Sequence, residues 1–154
     1  MKIILVLFLC AMPVVSIAGD IQRFCLKLGD INEDVCSVSL GTLIARGEDF
    51  DGKLVEVTGF YAYADIPMLF STKDSFMSSN VADGLAITIP SDGKIASRLF
   101  DLNHSTVTVI GRFSVKPRDT SSYSGYRTGG RLYEIRSIGS AFSPWGYSDT
   151  MPKK

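Results

Sequence analysis

His104 is the chain's one histidine, and it stands in Asp101-Leu-Asn-His-Ser105, with an acid and a hydroxyl close by. Nucleophilic catalysis uses those three groups, but only when the base reaches the nucleophile and is itself oriented by the acid. Adjacency in a helix-to-strand loop does not supply that geometry, and Ser105 sits on no elbow motif. The default for His104 is a surface loop histidine. Glu48, Asp49 and Asp51 could be recruited as paired carboxylates, yet they fit a turn without further help. No Walker loop, dinucleotide glycine run or zinc-ligand spacing occurs. We expect a non-enzyme with no cofactor and no metal.

Binding has the better physical case. Lys116-Pro-Arg-Asp-Thr-Ser-Ser-Tyr-Ser-Gly-Tyr-Arg-Thr-Gly-Gly130 reads as one long loop. Tyr123 and Tyr126 offer flat faces for stacking, while Arg118 and Arg127 can pair with phosphate or carboxylate. The serines and glycines around them give adaptable hydrogen bonding. Tyr61 and Tyr63 end an earlier strand and can face the same opening. Arg112, Lys116 and Arg131 could add to a basic face, because basic residues outnumber acidic ones after Asn103 and the reverse holds before it. The formal net charge is +0, which argues against a wholesale polyanion binder. The bland alternatives are solvated charges and a loop that is a tolerated insertion covering the barrel mouth.

The elements that must position these residues centre on two stretches. Lys53-Leu-Val-Glu-Val-Thr-Gly-Phe-Tyr61 and Thr106-Val-Thr-Val-Ile-Gly-Arg-Phe113 both read V-x-V-x-G-x-aromatic. Residues two apart share a strand face, so each is a half-buried strand with a glycine in its inward row. Such a glycine marks a bulge or a sharp bend. Further strands are expected at Met68-Leu-Phe-Ser71, Gly84-Leu-Ala-Ile-Thr-Ile89 and from Leu132 to Ile138. Ser37 or Ser39 can cap a short helix through Leu40, Leu43 and Ile44, and Ser91 a second through Ile95, Leu99 and Phe100. The order strand, strand, strand, helix, strand, strand is that of the OB-fold. The predicted class is all-β: an OB-fold-like five-stranded barrel with a helix between strands 3 and 4.

Residues 1–18 have the form of a signal peptide: Lys2, an apolar run from Ile3 to Val15, then Ser16-Ile17-Ala18 before Gly19. A lipoprotein signal with Cys10 lipidated is the competing reading, but Leu9 before it is not small. No later stretch nears the roughly 18 apolar residues of a membrane span. The expected location is periplasmic or secreted, with cleavage near Ala18. Cleavage would remove Cys10 and leave Cys25 and Cys36, most simply a disulfide in an exported chain. It would pin an N-terminal segment, 19–37, to a domain at 38–140, with 141–154 a tail holding Trp145.

The runs Val38-Ser-Leu-Gly-Thr-Leu-Ile-Ala and Phe50-Asp-Gly-Lys-Leu-Val-Glu-Val-Thr-Gly-Phe60 resemble a group of small, largely uncharacterised exported bacterial proteins. In that group a leucine-rich helical turn, a DGK turn and V-x-V-x-G open an OB-like domain, and a second V-x-V-x-G-x-F opens strand four. The resemblance spans roughly Val38 to Ile138 and implies a fold and export; it carries no site residues. Two functions remain. One is an exported non-catalytic binding module for a protein or cell-envelope component at the barrel mouth. The alternative is binding of single-stranded nucleic acid or another polyanion, weakening steeply with salt.

Overall fold

A computed structural model describes residues 25–27, 31–63, 65–115 and 128–141. Seven strands form one sheet: β1 (Cys25–Lys27), β2 (Asp34–Ser37), β3 (Leu54–Tyr63), β4 (Pro67–Phe70), β5 (Gly84–Ile87), β6 (Ser105–Ser114) and β7 (Arg131–Ser140). Three helices accompany them: α1 (Leu40–Ala45), α2 (Lys73–Met77) and α3 (Gly93–Asp101). The order is β1-β2-β3-β4-β5-β7-β6, and β6 returns to pair with β3, which closes a barrel over β3, β4, β5, β7 and β6. The β5–β7 pair is parallel and its barrel neighbours are antiparallel. With α3 between β5 and β6, this is the OB-fold connectivity.

The inward row is the one the alternation predicts. Val55, Val57 and Tyr61 of β3 and Val107, Val109 and Phe113 of β6 are all buried in the main core. Removing such side chains from water stabilises by about 1.5–3 kcal/mol each. Across the pair Val57 lies opposite Val109 and Gly59 opposite Val107.

β7 breaks its alternation where β6 meets it. Phe113 is opposite Leu132 and Arg112 opposite Tyr133, yet Ile110 is opposite Ser137. Gly111 therefore faces a widened loop of Glu134, Ile135 and Arg136. Strict alternation from Leu132 would have turned Glu134 and Arg136 into the core. The bulge instead puts Ile135 inside and leaves both charges exposed, with Glu134 in the left-handed region at φ 47. Increased local bending is the usual result of such an insertion.

The barrel is closed by helices. Ser39 caps α1, its side chain accepting from the Thr42 N–H, and Leu40 and Leu43 enter the core. The helix ends at Ala45, and a 3₁₀ turn, Gly47–Phe50, follows directly. At the other end α3 adds Leu99, with Ile95 and Leu102 packed against it. Its cap is Asp92, not Ser91: the carboxylate accepts from the Lys94 N–H at 2.8 Å. Asp serves this position as well as Ser, and only the turn after Pro90 decides between them.

The segment before the barrel is itself part of the sheet. Cys25 and Cys36 lie opposite each other in the antiparallel β1–β2 pair and form a disulfide. β2 then runs parallel to β3, with Cys36 beside Val55. Cys36 is buried in the main core. Among the described residues no helix is long and apolar enough to cross a membrane.

Candidate functional site

The outward faces of β3 and β6 carry hydroxyls where the inward faces carry valines. Thr58 and Thr108 are opposite each other, and their hydroxyls bond at 2.8 Å. Two hollows open beside this pair. One, of about 560 Å³, is bordered by Ser37, Ser39, Glu56, Thr58, Ser71 and Thr108. The other, of about 370 Å³, is bordered by Phe60, Ser71, Lys73, His104, Thr106 and Ser140. Ser71 borders both, so together they make one groove along the barrel wall.

Strand pairing explains the first hollow. β2 accompanies β3 only as far as Glu56, and β4 joins only at Phe60. The Val38 N–H to Glu56 carbonyl bond, 3.0 Å, is the last on the β2 side. Among the described residues, Val57 to Gly59 have no strand neighbour on that edge. Alternation of backbone groups turns those of Thr58 toward the opening, as those of Glu56 turn toward β2.

The second hollow is walled by α2. Thr72 caps this helix. Ser71 and Ser75 donate their hydroxyls to the two oxygens of Asp83, at 2.6 and 2.5 Å, tying the helix to the start of β5. Those two hydrogen bonds, Ser71 first, hold the Asp83 carboxyl below its ordinary range. Beneath α2 lies a separate cluster of Phe60, Ala62, Met68 and Phe70, with Phe76 and Val81 packed over it. His104 is exposed, in the left-handed region at φ 60. Its ring lies parallel to Phe60 with centroids 6.5 Å apart, and 5.5 Å from Phe76. The Ser105 hydroxyl donates to the Leu102 carbonyl, not to His104.

The structure distributes the sequence-predicted binding residues differently from the expectation of a tyrosine-lined mouth. Tyr61 is a correction: at 1% exposure it belongs to the core, and burial, with Tyr63 nearby, pushes its hydroxyl up to about 12. Tyr63 is half-buried, edge-on to Phe100 at 5.5 Å, and its backbone N–H donates to Asn103. Arg112 is clasped by Glu33 at 2.8 Å, Glu134 at 3.1 Å and the Gly52 carbonyl at 2.8 Å. Glu134 first, then Glu33, raises its guanidinium further. This is an intramolecular tie among the N-terminal segment, β6 and β7. Arg131 is 9% exposed at the start of β7, beside Ala86. Lys116, Arg118, Tyr123, Tyr126 and Arg127 lie outside the described residues, as does Trp145.

OB barrels commonly bind ligands on the face of their second and third strands, here β4 and β5, and in this chain that face is covered. Every residue of β4 and β5 is buried, because α2 and its aromatic cluster cover Met68 and Phe70. The residues that sequence reasoning passed over are Glu56, Thr58, Ser71, Lys73, Thr106 and Thr108. Four of them were legible: Glu56 and Thr58 alternate with the β3 valines, and Thr106 and Thr108 with those of β6.

No family model and no curated protein matches the chain. Among solved structures it is similar to the crystal structure of a protein assigned as an aspartyl-tRNA synthetase from Leishmania major Friedlin, at TM-score 0.39 and 12% identity. That likeness covers 73% of this chain and 21% of the other, so the chain spans about a fifth of that protein's length. At this TM-score the likeness carries no argument about ligand or activity.

Proposed function

We propose that this protein is an exported, non-catalytic binding module for a protein or cell-envelope component, taken in the groove along β3 and β6. The observation that carries the reading is the gap in strand pairing at Val57 to Gly59, flanked by hydroxyls and Glu56. A ligand rich in amide or hydroxyl groups can satisfy such donors and acceptors with little dependence on net charge. Export is supported by the form of residues 1–18 and by the Cys25–Cys36 disulfide, which suits an oxidising compartment.

Polyanion binding is the weaker reading. It draws on Arg112, Lys116, Arg118, Arg127 and Arg131 with the tyrosines; of those within the described residues, Arg112 is committed to two carboxylates and Arg131 is buried. Tyr61 is likewise unavailable for stacking.

A photo-crosslinking residue placed at Thr108, with another at Lys94 on α3 as control, tests the site in living cells. Adducts should form from position 108 and be absent from position 94. Equal adducts from both positions, or none from 108, would reject the groove. The first residue of the mature protein, read by N-terminal sequencing, should be Gly19.

A further inference from the structure

We propose that the His104 end of the groove is a seat for a carboxylate carried on an apolar or ring-bearing ligand. This inference rests on reading the groove as a ligand surface and names the chemistry of one end of it. The two ends differ in character. The hollow beside Thr58 has Glu56 on its border, whereas the hollow beside His104 is bordered by Lys73 and His104 and by no carboxylate.

The polar groups around this end are donors that can converge on one oxyanion. Lys73 supplies an ammonium and His104 a ring N–H. Thr106 and Ser140 add hydroxyls that make no hydrogen bond among the described residues, unlike those of Ser71, Thr72 and Ser105, which are already engaged. Hydrogen bonds from a charged donor to a carboxylate are about twice as strong as neutral ones. The wall of this hollow is more apolar than polar, with the edge of the buried Phe60 at its back, and it gives the ligand's apolar part a surface.

The ring is also held in place. His104 takes the left-handed region, which histidine, asparagine and aspartate enter more readily than most residues. At position 104 the chain keeps an imidazole there, held against Phe60 and Phe76. Those two rings set the imidazole at the border of the hollow. Inorganic phosphate would meet the donors but leave that apolar wall uncovered, so a carboxylate with an attached apolar group fits the hollow better.

The full chain, labelled with nitrogen-15, can be titrated with phenylacetate, its neutral amide phenylacetamide, and inorganic phosphate. Phenylacetate should shift the amides of Lys73, His104 and Thr106 saturably, with a dissociation constant on the order of 1 mM. The amide and phosphate should each bind at least roughly tenfold more weakly. Lys73→Gln should weaken phenylacetate by a similar factor. His104→Asn should do the same while leaving the remaining spectrum in place, because asparagine tolerates the left-handed region. Phenylacetamide or phosphate binding as well as phenylacetate would overturn the proposal, as would no saturable shift, or variants that bind like the wild type. Crosslinking at Thr108 reports on the other end of the groove, so the two proposals fail separately.

Discussion

In β3 the pattern V-x-V-x-G ends at Gly59, where an added Cβ would stand 2.6 Å from the Phe70 carbonyl oxygen and 2.8 Å from Leu69 Cγ. In β6 it ends at Gly111, where a Cβ would meet Ile135 Cδ1 at 2.7 Å and the Tyr133 carbonyl at 3.3 Å. The first glycine admits a neighbouring backbone into close approach while its own register with β6 runs unbroken. The second sits opposite inserted residues and gives space to the side chain they bring inside. One sequence pattern thus answers two physical demands, and only the second is a bulge. The aromatic two residues later differs too: Phe113 has nothing to ionise, whereas Tyr61 carries a hydroxyl into the core.

Substitution should separate the two glycines. Gly59→Ala forces a backbone oxygen to move and should destabilise by about 3 kcal/mol or more. Urea unfolding would measure it, and a loss below that of Gly111→Ala would break the distinction. The next largest effect concerns what β3 has and β6 lacks, the parallel neighbour β2. Replacing Cys25 and Cys36 together by serine and alanine, respectively, should cost about 2–3 kcal/mol and lower Tm; an unchanged Tm would mean that β2 is held by pairing alone. Gly111→Ala meets mainly the mobile tip of Ile135, so its cost should be about 1 kcal/mol.

The smallest effect at neutral pH is that of Tyr61→Phe, which imitates the β6 pattern. The folded Tyr61 hydroxyl titrates at about 12, above its ordinary value near 10. Between those values the folded state holds the proton more tightly than the unfolded chain. Stability from this group is therefore complete below pH 10 and is lost as pH rises toward 12. The phenylalanine variant should lose less stability over that window. Thermal melts at pH 9 and pH 11 would decide, and parallel losses in both proteins would sink the assignment.

Most of the barrel was legible because its strands announce themselves by alternation within a few residues. Val55, Val57, Val107 and Val109 fixed the inward rows, and the helical spacing of Leu40, Leu43 and Ile44 fixed α1. The same parity placed Tyr61 with the valines, so its assignment to the mouth contradicted a signal already in hand. β1 and β2 were not legible. Their few residues are mixed in polarity, and what makes them strands is a disulfide and a parallel partner across the intervening α1. The bulge of β7 was hidden for a related reason: Glu134 and Arg136 look inward until a register shift far along the chain is known. The groove was half legible, as the threonines alternate visibly, but the missing strand neighbour beside Thr58 is a property of where β2 and β4 stop.

The barrel's closure is uneven around its circumference. β3 and β6 are paired from Leu54 to Tyr61, while β5 and β7 meet only through Ala86 and Ile87 opposite Arg131 and Leu132. The Ala86 N–H to Gly130 and Thr88 N–H to Leu132 bonds, 3.0 and 2.8 Å, stitch that seam. A ring fastened this way can part at its shortest join without disturbing the long one. Amide exchange at Ala86 and Thr88 should then proceed by local breathing, while Val57 and Val109 exchange only when the whole domain unfolds.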